Sequence, residues 1–413
     1  MRYNKKMTYL CLIVYIFMFV FSSVYAIPDF AVVEVNGSKY KTAESSIQTS
    51  STPSFSFKST AQILMDATTG EVLYANNENE KLLPASVTKI MTMLLIMEKI
   101  DSGALKYDDN ITCSSLASGM GGSQIWFKEG ETLTVDEALK CIAVVSANDV
   151  SVAMAEHIGG SHENFVKMMN EKAKELGMIN TNFMNAHGID EEGHYTSAKD
   201  IAIMSRELIT EHPDILKYTT IWMDSIRNGQ FELSSTNKLL KSYEGLTGLK
   251  TGSTSQALFN LSATAKRENL SLIAVVLKAP TSAIRNEEIT TLLNYGFSNY
   301  ASQILTSQGE IVTSININKN IQKKVDVICG STEGLIYKKG EQKEYNKVIE
   351  LNKGISAPID SGTVVGKMKF EDSNGNIVKE TNLIINEKVE KSNLWEYVTK
   401  IVKIFCISEL KNI

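Results

Sequence analysis

Ser86 and Lys89 form the first of three short motifs whose side chains could carry out nucleophilic catalysis. They stand three residues apart at the start of an apolar pattern that predicts a helix, and so they share one helical face. A helix N-terminus favours negative charge, and a poorly solvated lysine loses pKa and can take the proton of a serine hydroxyl. The pair could therefore act as nucleophile and base, although a helix cap followed by a surface lysine gives the same pattern.

Two further motifs follow along the chain. Ser146-Ala147-Asn148 interrupts an apolar helical run, where Ser and Asn also suit an ordinary interhelical turn. Lys250-Thr251-Gly252, followed by Ser253, lies on a predicted strand. Its glycine would let a substrate backbone come close, and its lysine and threonine would bind a carboxylate. Each motif is weak alone, but Ser-x-x-Lys on a helix, then Ser-x-Asn, then Lys-Thr-Gly on a strand is a specific order.

Helices and strands of both kinds surround these motifs. Pro84 precedes the helix predicted over 86–99, and Thr134-Val135-Asp136-Glu137 is a capping box that opens a helix over 135–145. Apolar residues at helical spacing predict further helices over 149–157, 163–176, 197–209 and 286–293. Alternating or β-branched runs predict strands over 62–66, 71–75, 249–251, 259–265 and 270–278.

From Glu310 onward the pattern is that of an all-β region. Short strands are predicted over 312–317, 325–328, 347–351, 364–370 and 377–385, with a domain boundary near 300–310. The tail from Asn393 differs again, because its apolar side chains fall on one helical face: Leu394, Trp395, Val398, Ile401, Val402 and Phe405. Together with its lysines, this face suits a helix that lies on a membrane surface, or else one that packs on its own domain.

The N-terminus has the parts of a secretory signal peptide. Basic residues precede an apolar run from Leu10 to Phe21, and Ala26 suits the position before a cleavage site. The alternative is an uncleaved N-terminal anchor. After cleavage, residues 27–58, which are rich in Ser, Thr and Lys, would form an exposed leader.

Composition excludes several classes of function. The chain has 413 residues, of which 43% are apolar and 22% are charged, as in a folded protein of two or three domains. Its net charge of −5 gives no electrostatic footprint for nucleic acid. The 5 cysteines include no C-x-x-C pair and the 5 histidines are scattered. We therefore expect no metal site, no dense disulfide framework and no Ser-His-Asp triad.

The ordered motifs resemble those of the low-molecular-mass penicillin-binding proteins of the D-alanyl-D-alanine carboxypeptidase type. Between 60 and 300 further stretches are similar to that family, among them Leu64-Met65-Asp66-Ala67, His194-Tyr195-Thr196-Ser197 and Gly248-Leu249-Lys250-Thr251-Gly252. Residues 310–390 resemble the family's C-terminal β domain, and the tail resembles its amphipathic anchor. Two positions depart from the pattern: Thr247 stands where Asp is usual, and Leu258 stands where Gly is usual.

The resemblance implies a mixed α+β fold. A β-lactamase-like α/β catalytic domain, with a helical region packed on an antiparallel sheet, is followed by a small all-β domain and a C-terminal amphipathic helix. The expected domains are a signal peptide (1–26), an exposed leader (27–58), the catalytic domain (59–303), the β domain (304–390) and a membrane-anchor helix (391–413). The enzyme would then act in the cell-wall space, at the outer face of the cytoplasmic membrane.

The resemblance also implies a reaction. Ser86 would attack the carbonyl of the penultimate D-alanine of a peptidoglycan pentapeptide, Lys89 would take the Ser86 proton, and Ser146 would relay a proton to the leaving D-alanine. The expected substrate-binding residues are Asn148, Lys250, Thr251, Gly252 and Ser253. No metal or organic cofactor is required, and β-lactam antibiotics would be covalent inhibitors.

Two alternative functions share these motifs. A class A β-lactamase needs a deacylating Glu in a Glu-x-x-Leu-Asn type loop between Asn148 and Lys250, and the stretch at Glu207 does not match it. A catalytically impaired wall-binding homologue would require the changes at Thr247 and Leu258 to have disabled the site. The carboxypeptidase is the interpretation in which every motif residue has a role.

Overall fold

The structure is a computed structural model that describes residues 55–321, 324–341, 344–400 and 402. The chain divides into two compact units. One contains the described residues as far as Thr306 together with 332–341, and the other contains the rest. The predicted signal peptide and most of the predicted leader lie outside the described residues.

Strands in the described residues are numbered in chain order. They are β1 (Ala61–Asp66), β2 (Val72–Asn76), β3 (Asn110–Thr112), β4 (Thr132–Thr134), β5 (Met223–Ile226), β6 (Phe231–Ser234), β7 (Leu246–Thr254), β8 (Leu258–Arg267), β9 (Leu270–Ala279), β10 (Tyr300–Thr306), β11 (Ile311–Ile315), β12 (Val325–Cys329), β13 (Glu333–Lys338), β14 (Asn346–Leu351), β15 (Val364–Glu371) and β16 (Ile377–Ile385).

The helices are numbered in the same way. They are α1 (Lys89–Asp101), α2 (Ser115–Ser118), α3 (Val135–Lys140), α4 (Asn148–Gly159), α5 (His162–Glu175), α6 (Ala198–Glu211), α7 (Leu216–Thr219), α8 (Leu239–Ser242) and α9 (Ser282–Asn299). A 3₁₀ turn, Ala85–Thr88, precedes α1, and a π-helical segment, Cys141–Val145, continues α3.

The first unit is built on an antiparallel five-stranded sheet in the order β2-β1-β9-β8-β7. Alternate residues of the apolar strand β9 enter two different cores. Ile273, Val275 and Leu277 pack with the helical region, which includes α1, α4 and α6. Leu272, Ala274 and Val276 pack with α9 on the other face. Because both faces of the sheet are buried, its central strand is apolar throughout rather than alternating.

The helix predicted at the Ser-x-x-Lys motif begins differently from the prediction. Ser86 lies in the 3₁₀ turn, and the regular α-helix starts only at Lys89. The neighbouring strand β7 explains the tight turn, since a Cβ added at Gly252 would lie 2.9 Å from the backbone nitrogens of both Ser86 and Val87. The strand backbone and the turn are thus in direct contact, and only glycine allows that approach.

Other elements match or extend the predictions. The capping box at Thr134 is present, with Thr134 accepting from the Glu137 N–H and Glu137 accepting in return. The last helix of the first unit is longer than predicted, because Thr281 caps a helix that runs from Ser282 to Asn299. The hairpin β5–β6 and the pair β10–β13 lie in stretches where no strand was predicted.

The second unit contains a five-stranded antiparallel sheet in the order β11-β12-β16-β15-β14. The all-β prediction for this region is therefore confirmed. A short helix follows at 394–400, and its apolar side chains include Leu394 and Trp395, which are 73% and 76% exposed. Ile401 and Phe405 of the predicted apolar face lie outside the described residues. Within the part of the chain that the structure describes, no helix has the length and hydropathy to span a membrane.

Candidate active site

Lys89 links the first two motifs through its ammonium nitrogen. Its Nζ lies 3.1 Å from Ser86 Oγ, 2.6 Å from Asn148 Oδ1 and 2.6 Å from the carbonyl oxygen of His187. The side chain is fully buried at the first residue of the apolar helix α1. Burial, together with the charge of Lys250, lowers the pKa of Lys89 well below its ordinary value, and Asp149 opposes this shift. The lysine is therefore poised to be a neutral amine and a proton acceptor.

Ser146 stands where the π-helical segment ends, and its backbone is left-handed, with φ of 65°. This conformation turns the chain so that α4 begins only two residues later, at Asn148. The Ser146 hydroxyl is buried and has no hydrogen-bond partner among the described residues. A buried hydroxyl without a hydrogen-bond partner costs free energy. The Ser146 hydroxyl therefore suits a group whose missing hydrogen bond is made by a bound substrate.

Asn148 holds a loop as well as the lysine. Its side-chain amide donates to the carbonyl of Gly121 at 2.8 Å, and its backbone N–H donates to the carbonyl of Ser123 at 2.7 Å. The next residue, Asp149, is fully buried and accepts hydrogen bonds from the backbone of the same loop. The Ser-x-Asn motif therefore fixes both the base and the wall of the cleft opposite β7.

The third motif lies on β7, which is an edge strand of the five-stranded sheet. Lys250 is 1% exposed, and its Nζ donates to the carbonyl of Thr251 at 3.0 Å. Burial, reinforced by the charge of Arg285, lowers the pKa of Lys250 to about 7. The Thr251 hydroxyl lies 2.7 Å from the hydroxyl of Thr236, so one of the two donates to the other. Ser253 is exposed and follows Gly252 along the edge.

The predicted residues surround one cleft of about 200 Å³. Its lining includes five of the eight: Ser86, Ser146, Thr251, Gly252 and Ser253. Lys89 and Asn148 lie behind this lining and reach it through Ser86, while Lys250 lies behind Thr251. The structure therefore brings all three motifs together, with four hydroxyl-bearing residues lining the cleft and the two lysines behind that lining.

Arg285 also lines the cleft, and the sequence analysis did not single it out. It is 5% exposed, and burial lowers its pKa to about 10, so it remains a cation at neutral pH. Its Nη1 donates to the carbonyl of Asn260 at 3.4 Å. The sequence offered one signal for Arg285, an arginine shortly after the buried strand β9. The following helix, however, was predicted to begin at residue 286, one residue too late to include Arg285.

The buried histidines hold loops and form no catalytic triad with the motif serines in the described residues. The backbone N–H of Met184 donates to His194 Nδ1 at 2.8 Å, so the proton of this imidazole is on Nε2, which lies 2.8 Å from the Thr88 hydroxyl. Burial lowers the pKa of His194 to about 4 and that of His187 to about 3. Both rings are therefore neutral at physiological pH, and they brace the loop whose carbonyl binds Lys89.

Comparisons with known proteins agree with this geometry. The D-alanyl-D-alanine carboxypeptidase family model matches residues 46–281, and the model of the C-terminal domain of penicillin-binding protein 5 matches residues 300–391. The chain is 43% identical over 342 residues to the D-alanyl-D-alanine carboxypeptidase DacF of Bacillus subtilis, covering 82% of this chain and 87% of that protein. It is 30% identical over 350 residues to DacA of Haemophilus influenzae, covering 83% and 88%.

Solved structures give the same result. Penicillin-binding protein 5 of Haemophilus influenzae superposes with a TM-score of 0.64 at 30% identity, over 82% of this chain and 99% of that one. Penicillin-binding protein D2 of Listeria monocytogenes in its ampicillin-bound form superposes with a TM-score of 0.55 at 31% identity, over 59% and 99%. The predicted fold class and activity are confirmed: the chain belongs to the family of serine-type D-alanyl-D-alanine carboxypeptidases.

Proposed function

We propose that Ser86 is the nucleophile of this carboxypeptidase and that neutral Lys89 is its base. The three contacts of Lys89 Nζ carry the proposal. A neutral amine has two N–H donors and one lone pair, and the oxygens of Asn148 and His187 accept the two N–H groups at 2.6 Å each. The lone pair is then left for the Ser86 hydroxyl at 3.1 Å, which is the geometry of an activated serine.

In the acylation step, Ser86 Oγ forms a bond to the carbonyl carbon of the penultimate D-alanine of a stem peptide. The Ser86 proton passes to Lys89 Nζ. As the C–N bond to the terminal D-alanine breaks, the Ser146 hydroxyl gives its proton to the leaving nitrogen and is reprotonated from Lys89. The Ser146 hydroxyl supports this relay because Ser146 lines the cleft and its buried hydroxyl has no hydrogen-bond partner among the described residues.

The charge that develops on the carbonyl oxygen requires donors that point into the cleft. The backbone N–H groups of Ser86 and Ser253 are the proposed pair. The close contact of Gly252 with the Ser86 turn places these two backbones side by side. Removing one such donor from other hydrolases costs about 3–4 kcal/mol of transition-state stabilisation. Water then attacks the acyl-enzyme and releases the shortened peptide.

A positive end of the cleft accounts for specificity toward a free C-terminus. Lys250 and Arg285 lie close enough that the arginine lowers the lysine pKa, so two cations share one buried region. Such a pair is unfavourable without an anion and is stabilised by one. We therefore assign Lys250, Thr251 and Arg285 to the terminal carboxylate of the substrate, with Thr251 donating its hydroxyl from the lining of the cleft.

Covalent labelling with penicillin tests the nucleophile. The purified protein should gain the mass of one penicillin on the peptide that contains Ser86, and Ser86→Ala should lose both this adduct and D-alanine release. Ser118→Ala is a matched control, because this exposed serine bonds only to its own helical turn at Ser115.

The outcomes of this experiment separate the three candidate functions. A stable adduct that depends on Ser86 supports the carboxypeptidase. Rapid turnover of penicillin would instead show a β-lactamase, and the absence of an adduct in the folded protein would show an impaired wall-binding homologue. Labelling that persists in Ser86→Ala would disprove the assignment of the nucleophile.

We also propose that the mature enzyme is exported by residues 1–26 and is held on the outer face of the cytoplasmic membrane by residues 391–413. Four apolar side chains of the tail are exposed rather than packed on their own unit: Leu394, Trp395, Val398 and Val402. Exposed apolar side chains on one helical face gain free energy on burial in a membrane interface. Their exposure supports the membrane alternative over packing on the enzyme's own domain.

Sedimentation with anionic liposomes tests this tether on the full mature chain. The wild-type protein should pellet with the vesicles, and Leu394→Glu/Trp395→Glu should stay in the supernatant because two charges would have to enter the interface. Glu390→Gln is the control, since it changes a charge just before the helix without touching the apolar face. Equal recovery of wild type and double variant in the supernatant would assign the face to a partner protein.

A further inference from the structure

An exposed aromatic side chain lies three residues along the chain from Ser123, which lines the catalytic cleft. Trp126 is 65% exposed, and its ring meets that of Phe231 edge-on, with the centroids 6.1 Å apart. Arg227 lies over the other ring, its guanidinium carbon 5.3 Å from the Phe231 centroid. These three side chains are called the aromatic platform below.

The loop that carries Trp126 is held in an unfavourable backbone conformation. Trp126 has φ of 52°, in the left-handed region that bulky residues rarely adopt. The flanking N–H groups of Ile125 and Phe127 both donate to the buried carboxylate of Asp149 at 3.0 Å. On the outer side, Arg227 donates to the carbonyl of Ile125 at 3.0 Å and pairs with Glu131 at 2.7 Å. Several hydrogen bonds therefore keep a large apolar ring in solvent, an arrangement expected where strain serves function.

The aromatic platform is connected to the lining of the cleft by two short stretches of chain. Ser123 lines the cleft, and Trp126 follows it by three residues, so their Cα atoms are at most about 11 Å apart. Thr236, which lines the cleft and bonds to Thr251, lies two residues after the end of the strand that carries Phe231. The indole is therefore within reach of a substrate that extends out of the cleft on this side.

The stem peptide is long enough to carry its sugar to this position. Four residues of a pentapeptide precede the scissile bond, and fully extended they span about 14 Å. A pyranose ring presents a face of polarised C–H groups, which suits the electron-rich face of an indole. The stem itself is charged, whereas the one charged group of the platform, Arg227, is already paired with Glu131. These features favour the sugar over the peptide as the group on the ring.

We propose that Trp126, in edge-on contact with Phe231, forms a subsite for the sugar ring that bears the stem peptide. The subsite makes the enzyme prefer stem peptides still attached to the glycan over free peptides. It touches no reacting atom, so its effect belongs in KM rather than in kcat. The proposal rests on the carboxypeptidase activity, and the experiment below reports the two separately.

The test compares three substrates: a diacetylated tripeptide ending in D-Ala-D-Ala, the free pentapeptide and the disaccharide pentapeptide. Release of D-alanine gives kcat and KM for each with the full mature enzyme. In Trp126→Ala, the ratio of kcat/KM for the disaccharide pentapeptide to that for the tripeptide should fall about three- to tenfold, as for loss of one aromatic contact. Trp126→Phe should keep most of the ratio. Ile179→Ala, which removes an 84% exposed apolar side chain elsewhere, should leave it unchanged.

Each possible outcome either supports or overturns the proposed sugar subsite. A fall confined to the disaccharide pentapeptide and to KM supports the sugar subsite. An equal fall with the free pentapeptide would assign the ring to the peptide and overturn the proposal, as would a ratio that does not change. If the wild-type enzyme does not cleave the tripeptide at all, the catalytic assignment fails independently of the platform. Penicillin labelling of each variant shows whether its active site is folded.

Discussion

The protonation of Lys250 should limit activity at alkaline pH, and only for substrates with a free carboxylate. Its pKa lies at about 7 because the side chain is buried and Arg285 is close. As pH rises from 7 to 9 in the free enzyme, the protonated fraction of Lys250 falls from about one half to about one hundredth. The alkaline limb of kcat/KM therefore begins near neutrality, far below the ordinary lysine pKa of 10.5.

Arg285 limits how far kcat/KM falls as Lys250 loses its proton. Its pKa lies at about 10, so it still carries a charge at pH 9 and keeps one cation at the carboxylate end of the cleft. We therefore expect at least a tenfold fall in kcat/KM between pH 7 and 9 for a peptide acid, levelling off below the roughly fiftyfold fall that Lys250 alone would give. The acid limb has the opposite origin, because activity rises as Lys89 loses its proton.

The assay measures kcat/KM from pH 6 to pH 9 for a D-Ala-D-Ala peptide and for the same peptide amidated at its C-terminus. The peptide acid should show the alkaline fall and the amide should not. Lys250→Gln should remove both the fall and the preference for the acid, whereas Lys266→Gln, on the exposed end of β8, should change neither. An alkaline limb of equal size on both substrates would refute the reasoning and assign Lys250 to structure or to proton transfer.

Three further outcomes follow from the same contacts. Lys250→Met should raise the free energy of unfolding below pH 7 by up to roughly 5 kcal/mol, because the native pKa of about 7 is below the unfolded value; the gain should fade as pH rises toward 10.5 in chemical denaturation. Asn148→Asp should place a carboxylate beside Lys89 Nζ, raise its pKa and move the acid limb of penicillin acylation to higher pH. Leu258→Gly should stabilise the fold by about 1 kcal/mol, since Leu258, the first residue of β8, has φ of 55°; an unchanged melting temperature would contradict that strain.

The fold was predictable where local pattern and burial agree. Strand β9 and helix α5 each have the apolar spacing that their surroundings require, and both were found close to their predicted bounds. The pair β10–β13 was missed because its residues are only half-buried, so neither alternation nor an apolar run marks it. The hairpin β5–β6 was missed for a similar reason, because its strands are short and only Ile226 and Leu233 in them are buried.

The composition of the site was predictable from motif order, but its electrostatics were not. Residue type and spacing indicated Ser86 and Lys89 as a pair, yet the low pKa of the lysine depends on burial and on Lys250, which is more than 150 residues away along the chain. Arg285 was missed for the same reason, because its role arises from β8 and β9 bringing α9 beside the cleft. Residue types and their spacing identify the groups that could react, whereas the charge states of those groups depend on the tertiary structure.

Backbone strain marks the same region of the molecule. Ala85, Ser146 and Trp126 all have left-handed backbones. They lie immediately before the proposed nucleophile, at the proposed proton relay and on the loop that follows Ser123 of the cleft lining. Each conformation costs about 1–3 kcal/mol and persists only where surrounding contacts enforce it. At Ala85 the enforcing neighbour is Gly188, where an added Cβ would lie 2.0 Å from the Ala85 carbonyl oxygen. The loop that binds Lys89 through His187 therefore also holds the turn that presents Ser86, so the base and the nucleophile are positioned by one element and should be displaced together.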